Sequence, residues 1–484
     1  MQPKFAIAFL FYCVFAQQNL AQFNLNFEIS GDKDFYTTPL YLDSTIYVNG
    51  FFRIGSTTSG SLLAKIDLNG DTIFVKKHIR DSTIFFGGFG KTLIHFNKRL
   101  YSVGVYSKTS PTVNIAYIEK FNLNGDSLGY YELTAPFGVV FNGISITKDS
   151  NLIITGYVRP TISNYDVLLL KIDTLLTPVW TQTYGGLNED VGWSIDTTYD
   201  GGYVIGGLTQ SYGSGLRDAY LVKVDSLGVF EWQKTYGGTY YDGGKVITTG
   251  INEVTLYGVL NVSSSSTYSR LFFRRYTLNG TLLGENLSVI YKEYINPVEC
   301  IKNGNNLYFN VYCNIDTTFG NIPVANIIKT DLGGNIIFDK YYLISQNSNY
   351  TTGMIQLSDK SLVSAGYLYS DGTTVLTEDA WMFRVDSMGC FISGCTIGID
   401  DLAKINEDLM IYPNPTEDKF RIKLPDFNTE SRILILNSVG EIVFSLNSNN
   451  QHEIEIDFEK NPRGIYLIAI YQKGFFFSQK IILK

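Results

Sequence analysis

"WTQTYGG" (residues 180–186) and "WQKTYGG" (residues 232–238) stand 52 residues apart in one chain. Near-identical segments at a fixed distance are the mark of a repeat architecture, in which each copy forms one supersecondary unit. Such an architecture should show the same period in the rest of the chain.

A short basic motif extends this repeat over most of the chain. It has a Lys or Arg, usually an Asp two residues later, and then a turn, as in "KVDSLG". The seven copies are spaced by 55, 51, 52, 52, 54 and 55 residues. A four-stranded propeller blade takes about 40 to 50 residues, so this period fits one blade with generous loops. The copies begin at Lys65, Lys120, Lys171, Lys223, Arg275, Lys329 and Arg384.

A glycine that ends a strand-like segment keeps the same phase, 15 to 19 residues before each basic residue. Alternating apolar residues around it and around the motif predict antiparallel strands joined by tight turns, four to a unit. The positions are Gly50, Gly104, Gly156, Gly207, Gly258 and Gly366, with Asn310 in place of glycine in the sixth copy.

The repeat predicts an all-β chain whose residues 22–395 form a seven-bladed β-propeller. Stacking such units around an axis buries their faces and leaves only short edges. After Arg384 the chain runs only through "CFISGC" before the repeat ends, too little for a fourth strand. We expect the N-terminal segment "FNLNFEISG" (residues 23–31) to supply that strand and to close the last blade.

Composition narrows the class of partner. The 484 residues carry 38 Lys and Arg against 46 Asp and Glu, a net charge of −8 without long runs. No basic stripe exists to neutralise a phosphate backbone, so we do not expect nucleic acid as a partner. The 34 Tyr, 32 Phe and 45 Gly suit many short strands and turns.

The N-terminus predicts export. Lys4 precedes an apolar run that ends at Ala16, and small residues there suit cleavage after Ala16 or Ala21, which gives a signal peptide over residues 1–21. The run is about half of the roughly 20 residues that a membrane-spanning helix needs, so we expect no transmembrane segment in the mature chain.

Four cysteines remain after cleavage. Cys390 and Cys395 are close enough in sequence to close a small loop, and we expect a disulfide between them in an exported protein. Cys300 and Cys313 flank a hairpin-like segment, and either a second bridge or two thiols fits that pattern.

The chain changes character after Cys395. Residues 396–410 read as a linker, and residues 411–484 alternate in strand fashion and predict a small Ig-like β-sandwich. This tail resembles the type A C-terminal sorting domain of the type IX secretion system of Bacteroidota. The resemblance is carried by a Tyr-Pro-Asn-Pro segment, a Gly-Ile-Tyr segment and a terminal strand with Lys480. The motif residues are Tyr412, Pro413, Asn414, Pro415, Gly464, Tyr466 and Lys480.

The resemblance implies a route and two partners. Such proteins cross to the periplasm with a signal peptide, and the outer-membrane translocon then recognises the folded tail. A sortase-like enzyme usually removes the tail and attaches the protein to the cell surface. An extracellular or outer-membrane surface location is therefore implied. The central repeats resemble the delta-60-like propeller repeats of secreted proteins, which carry no defined activity.

Motifs for catalysis are weak. The three histidines, His78, His95 and His452, are scattered, and we interpret them as structural residues with satisfied hydrogen bonds rather than as a metal or triad site. "DLNGD" at Asp67 lacks the later acidic residue of a calcium loop, so we interpret it as a turn. Asp190 and Asp242 occupy matching loop positions and are interpreted as backbone caps. We predict no catalytic residue, metal or cofactor.

Two classes of function remain. The first is a binding, adhesion or structural module that presents loop aromatics to a glycan or protein, with Tyr240 and Tyr241 as the ligand-facing candidates and Trp193 more consistent with packing. The alternative is a secreted propeller-type enzyme that acts on an extracellular polymer. We favour the non-catalytic module, because the sequence lacks clustered acids, histidines or cofactor-binding motifs.

Overall fold

The computed structural model describes residues 24–27, 33–54, 58–81, 83–86, 90–109, 112–262, 269–288, 295–317, 320–342, 349–369, 378–389, 410–423, 431–436, 442–448, 453–472 and 475–484. Every regular element in these ranges is a β-strand, which confirms the all-β prediction. Among these residues no helix has the length and apolar character needed to cross a membrane. The predicted signal peptide, the linker up to residue 409 and the Cys390–Cys395 pair lie outside the described residues.

The chain divides into two compact units, with Gln22–Arg384 in one and Val385–Lys484 in the other. The first unit is built from consecutive antiparallel runs of strands. Its N-terminal strands are β1 (Asn24–Phe27), β2 (Lys33–Leu42), β3 (Thr45–Ile54), β4 (Thr58–Asp67), β5 (Thr72–Asp81), β6 (Thr83–Phe86), β7 (Leu93–Phe96), β8 (Arg99–Thr109), β9 (Thr112–Phe121) and β10 (Ser127–Leu133).

The central strands form two four-stranded sheets in chain order. They are β11 (Val139–Ile146), β12 (Leu152–Val158), β13 (Asp166–Ile172) and β14 (Pro178–Tyr184), then β15 (Asp190–Thr197), β16 (Tyr203–Thr209), β17 (Asp218–Val224) and β18 (Phe230–Tyr236).

Two more four-stranded sheets and a final run of three strands follow. They are β19 (Gly243–Gly250), β20 (Glu253–Asn261), β21 (Ser269–Thr277) and β22 (Leu282–Leu287), then β23 (Ile295–Asn303), β24 (Asn306–Thr317), β25 (Gly320–Asp331) and β26 (Ile336–Tyr342), then β27 (Asn349–Gln356), β28 (Leu362–Tyr369) and β29 (Glu378–Val385).

The first and last runs join into one eight-stranded sheet. β1 pairs antiparallel with β29, with Asn24 opposite Phe383. β2 meets β29 at a single parallel pair, Lys33 opposite Glu378. The Lys33 ammonium lies 2.9 Å from the Glu378 carboxylate at this junction. The N-terminal strand thus supplies a fourth strand to the run β27–β29.

The first strands of successive runs contact one another in turn. β2 contacts β7, β7 contacts β11, and the series continues through β15, β19, β23 and β27 back to β2. The hydrophobic core lies between the facing sheets, as where Ile153 and Leu169 pack with Tyr203 and Tyr220.

The glycine recurs at the same position of successive runs for a steric reason. Gly207 in β16 lies opposite Gly192 in β15, and the register of β15 shifts directly after that pair. A Cβ atom at Gly207 would lie 1.7 Å from the Val191 carbonyl oxygen. Equivalent carbonyls lie 1.8 to 2.0 Å from a Cβ placed at Gly50, Gly156, Gly258 or Gly366. At these five positions only glycine leaves room for the carbonyl of the first strand.

In three runs the basic residue of the repeat, Lys171, Lys223 or Arg384, is a buried cross-link within its own sheet. The Lys223 ammonium is fully buried and lies 3.1 Å from Asp200 and 2.8 Å from Glu231. Lys171 pairs in the same way with Asp149, at 2.8 Å. Both carboxylates, Asp149 and Asp200, belong to the turn between the first and second strands, so this residue ties that turn to the third strand.

The tryptophans of the opening segments pack onto the next run along the chain. The Trp232 indole N–H donates to the Leu278 carbonyl at 2.8 Å. A Cβ placed at Gly280 would lie 3.1 Å from its ring, and one at Gly228 would lie 3.0 Å from the ring of Trp180. The repeated Trp therefore covers the glycine turn of its neighbour.

The second unit has two small sheets. The strands are β30 (Met410–Tyr412), β31 (Lys419–Lys423), β32 (Ser431–Leu436), β33 (Ile442–Ser448), β34 (Glu453–Asp457), β35 (Gly464–Gln472) and β36 (Phe475–Leu483). One sheet has the order β30-β31-β34 and the other β33-β32-β35-β36. Apolar residues of both sheets, such as Phe420 and Ile468, share one core. The tail is therefore a two-sheet sandwich.

Candidate functional site

A cavity of about 660 Å³ opens within the first unit. Five consecutive runs line it, from β11–β14 to β27–β29, mostly through their first and second strands. Tyrosine is the most frequent side chain in its wall. The aromatic lining residues are Tyr157, Tyr165, Trp193, Tyr241, Tyr312, Tyr350 and Tyr367. We call this feature the axial cavity.

Matching positions of neighbouring runs form part of its wall. The backbone of Tyr165 forms an isolated parallel β-bridge with Glu189, and that of Arg217 forms one with Tyr241. The Arg217 guanidinium lies 2.7 Å from the Glu189 carboxylate. The same guanidinium lies 5.3 Å from the centre of the Tyr241 ring, within cation–π range. Arg217 therefore holds both an acid and an aromatic ring in place.

Aromatic pairs continue around the wall. Tyr350 stacks on Tyr367 at 4.9 Å between ring centres, and Tyr312 meets Tyr350 edge to face at 5.4 Å. On another part of the wall, Tyr157 and Tyr165 lie 5.2 Å apart. Rings fixed by such contacts lose little conformational entropy when a ligand docks against them.

The predicted ligand-facing tyrosines differ in position. Tyr241 lines the axial cavity and is 46% exposed. Tyr240 is half-buried and is not among the lining residues. Trp193 lines the cavity and also packs inward, since a Cβ placed at Gly243 would lie 2.4 Å from its ring. The geometry thus favours Tyr241 over its neighbour.

Asp190 and Asp242 are buried caps, as interpreted from the sequence. Asp190 accepts hydrogen bonds from the Gly186 N–H at 2.7 Å and the Ser211 hydroxyl at 2.6 Å. Asp242 accepts from the Gly238 N–H at 2.6 Å and from the Asn261 N–H at 2.8 Å. These bonds fix the loops that carry the cavity wall.

The turn interpretation of "DLNGD" is also confirmed. The Asp67 carboxylate accepts hydrogen bonds from the backbone N–H groups of Asn69 and Asp71, both at 2.8 Å. Within the described ranges, no group of three or more His, Cys, Asp or Glu side chains could hold a metal ion.

The expectation of satisfied histidines is wrong for two of them. In the described part of the chain, Nε2 of His78 and Nε2 of His95 are buried without a hydrogen-bond partner. His78 packs against the Phe121 ring at 5.1 Å, and its Nδ1 lies 3.7 Å from Glu119. Nε2 of His78 therefore lies in a position set by packing against the Phe121 ring and not by a hydrogen bond. His452 lies outside the described residues.

Cys300 and Cys313 do not form a disulfide. Cys300 lies opposite Phe309 and Cys313 opposite Ile295, so the antiparallel register separates them along the hairpin. Cys313 is buried in an apolar cluster. Of the two alternatives that the sequence left open, a bridge or two thiols, the structure shows two thiols.

Lys245 is a buried charge in the wall of the axial cavity, with Glu299 and Asp196 outside that wall, and the sequence reasoning missed all three. Lys245 lines the cavity, and burial lowers the pKa of its ammonium to about 8, while Glu299 acts in the opposite direction. Burial raises the pKa of the Glu299 carboxyl, against the effects of the Met354 N–H, Lys91 and Lys245. Burial also raises the pKa of Asp196 in β15. Aligning "YGGLNEDVGW" with "YGGTYYDGGK" would have shown Lys245 at the position of Trp193.

Polar atoms of three lining residues lack a partner in the described part of the chain. They are Oδ1 of Asn142, Oδ1 of Asn261 and Nε of Arg217. An unpaired buried polar atom costs about 1–3 kcal/mol. Groups left in this state around a cavity are typical of sites where a ligand or water completes the hydrogen bonding.

The motif residues of the tail lie on or directly after the edge strand β30, on the edge strand β36 and on the inner strand β35. Tyr412 ends β30 and is exposed, and the Asn414 side chain accepts a hydrogen bond from the Ile482 N–H at 3.1 Å. Tyr466 is buried, and its hydroxyl donates to the Pro462 carbonyl at 2.6 Å. Gly464 lies opposite Leu483, and Lys480 opposite Leu467. The motif therefore joins the first and last strands of the tail. Pro413 and Pro415 each follow a cis peptide bond.

Residues 410–484 match the secretion system C-terminal sorting domain family. The match confirms the sorting-domain prediction for the tail. A sorting domain of the type IX system implies secretion to the extracellular space or the cell surface, and it implies interaction with that secretion machinery.

No curated protein matches this chain. Among solved structures, the β-propeller domain of the Trilobed protease from Pyrococcus furiosus is 10% identical, with 72% of this chain and 97% of that chain covered and a TM-score of 0.40. Polysaccharide lyase Uly1 is 10% identical, with coverages of 72% and 90% and a TM-score of 0.40. The extracellular region of plexin A4 is 10% identical, with coverages of 96% and 53% and a TM-score of 0.45.

Proposed function

We propose that the chain is an exported, non-catalytic binding module of a Bacteroidota envelope: a seven-bladed β-propeller over residues 22–395 with a type IX sorting domain of Ig-like fold at its end. Seven antiparallel runs of strands support the blade count, with the eight-stranded sheet counted as two blades. The contacts of first strands from β2 around to β27 and back support the ring.

The axial cavity supports a binding role. It combines aromatic faces held by neighbouring rings and by Arg217 with polar atoms that lack partners. Aromatic faces stack on the apolar faces of sugar rings, and polar groups beside them accept or donate hydrogen bonds to hydroxyls. An extracellular glycan is therefore the proposed ligand, and an extracellular protein loop is the other candidate partner.

Tyr241 is the residue on which this proposal depends most directly. We expect Tyr241→Ala to weaken binding of the full mature chain to its glycan about tenfold or more, because it removes an exposed aromatic face from the site. The measurement is a glycan and envelope-polymer array followed by titration of the best binder.

The matched control is Tyr130→Ala, since Tyr130 is 60% exposed on β10 and does not line the axial cavity. Tyr240→Ala serves as a second comparison next to the site. Equal weakening by all three variants, or no binding to any polymer, would contradict the glycan proposal. Release of soluble fragments from a bound polymer would instead favour the enzyme alternative.

The sorting domain makes a separate prediction. In a Bacteroidota host we expect deletion of residues 411–484 to abolish delivery of the chain to the surface and medium and to leave it in the periplasm. Immunoblots of periplasmic, outer-membrane and medium fractions measure this. A periplasmic band would show that the shortened chain is made and crosses the inner membrane. If the shortened chain reached the medium in the same amount as the full chain, the role of the tail would be refuted.

A further inference from the structure

Lys245 is a buried amine that the proposed stacking role does not use. It belongs to β19, is 5% exposed and lines the axial cavity. Its ammonium donates to the Val298 carbonyl, and Tyr257 lies directly opposite it in the neighbouring strand. The Lys245 side chain thus belongs to the wall of a cavity of about 660 Å³.

The chain contains a natural comparison. Lys171 is equally buried, at 5% exposure, but it lies 2.8 Å from Asp149. Burial acts against the charge of Lys171, yet its interactions with Asp149 and Tyr203 together outweigh burial and raise the pKa of that ammonium. At Lys245 burial prevails, and the pKa falls to about 8. Desolvated lysines of this kind are the ones that serve as nucleophiles toward carbonyl groups.

We infer that Lys245 is a carbonyl-reactive site that forms an imine with an aldehyde admitted to the axial cavity, such as the open-chain end of a reducing sugar. The inference rests on the cavity of the proposed function but does not require that a glycan be its ligand.

The step is balanced without a further reactant. The neutral Lys245 nitrogen forms a bond to the carbonyl carbon, the carbonyl π electrons move to oxygen, and a proton passes from nitrogen to oxygen. The hydroxyl then leaves as water after it gains a proton from the solvent, the nitrogen lone pair forms the C=N bond, and the nitrogen returns a proton to the solvent. One amine and one aldehyde give one imine and one water.

Glu299 is the acidic group whose charge acts on Lys245. It lies in β23, its carboxylate accepts the Met354 N–H at 2.9 Å, and burial favours its protonated form. Lys91 and Asp196 are the other charged groups of this region, and Tyr257 is the titratable group across the strand. The charge of Lys91 lowers the pKa of Glu299 and so opposes its protonation. The charge of Glu299 raises the pKa of Lys245 and so favours its ammonium form.

Reductive labelling tests the inference on the intact mature chain. Glycolaldehyde with sodium cyanoborohydride converts any imine into a stable adduct, and peptide mass spectrometry follows each lysine over time between about pH 6 and about pH 9. Lys171 is the buried comparison and Lys98, which is exposed, is the accessible comparison.

We expect Lys245 to be labelled roughly a hundredfold faster than Lys171 near neutral pH, because the free-amine fraction differs by at least that factor. We also expect it to be labelled faster than Lys98, with a rate that rises with pH and levels off above about 8. Lys245→Arg should remove this adduct alone, while Lys171→Arg should leave it.

Labelling of Lys245 that is no faster than that of Lys171 would overturn the inference. The comparison is made within one folded chain, so it stands even if the Lys245→Arg variant does not fold. It is also independent of the glycan array, because Tyr241→Ala leaves the amine in place.

Discussion

Replacing Gly207 with alanine is expected to lower the free energy of unfolding by about 3 kcal/mol or more, at the upper end of the cost of overpacking. The new Cβ would lie 1.7 Å from the Val191 carbonyl oxygen, a distance at which the atoms cannot remain. The contact atom belongs to the backbone of β15, so relief requires separating β15 from β16 near the wall of the axial cavity.

Urea or thermal denaturation of the wild type and the variant measures this cost. The matched control is Gly238→Ala, because a Cβ at Gly238 meets only the Asp242 carboxylate, at 3.8 Å. We expect that control to change the free energy of unfolding by less than about 1 kcal/mol. Similar stability of both variants would show that the strands do not approach as closely as described.

The same steric reason explains why the repeat was readable in the sequence. The phased glycine leaves room for a carbonyl of the first strand at Gly50, Gly156, Gly207, Gly258 and Gly366, and the buried basic residue pairs with a turn carboxylate at Lys171, Lys223 and Arg384. These requirements recur at the same phase of several runs, so they leave a periodic trace. The exception, Asn310, replaces the glycine and is buried, where its side-chain oxygen accepts a hydrogen bond from the Thr351 hydroxyl at 2.6 Å.

The site left no such trace because its residues differ between repeats. Glu189 and Tyr241 occupy matching positions, and so do Trp193 and Lys245. A periodic pattern shows the residues that the repeats share for folding. The cavity is lined by residues that differ from one repeat to the next. Tyr241 was found because it stands in the most regular pair of repeats, and Lys245 was missed because its burial depends on β23 and on other distant strands.

Lys245→Met is expected to raise the free energy of unfolding at about pH 7 by about 3 kcal/mol, because burial lowers the pKa of this ammonium from 10.5 to about 8. Below pH 8 the folded chain holds a buried charge that the unfolded chain leaves in water, so the cost is fully present there. Between pH 8 and pH 10.5 the unfolded chain binds a proton that the folded chain does not. The stability of the wild type therefore rises with pH across this window, and the gap to Lys245→Met closes.

Urea denaturation of the wild type and of Lys245→Met, at about pH 7 and about pH 10, measures the difference in their free energies of unfolding. Subtracting the value of one chain from that of the other at each pH cancels the groups that titrate in both. Lys171→Met is the control with the opposite sign. The pKa of Lys171 is raised by Asp149, so its stabilising effect is present below pH 10.5 and is lost as pH rises further. We expect Lys171→Met to destabilise the chain at about pH 7. If Lys245→Met also destabilised it there, the buried ammonium would be a structural ion like Lys171, and the cavity wall would hold no amine ready to lose its proton near neutral pH.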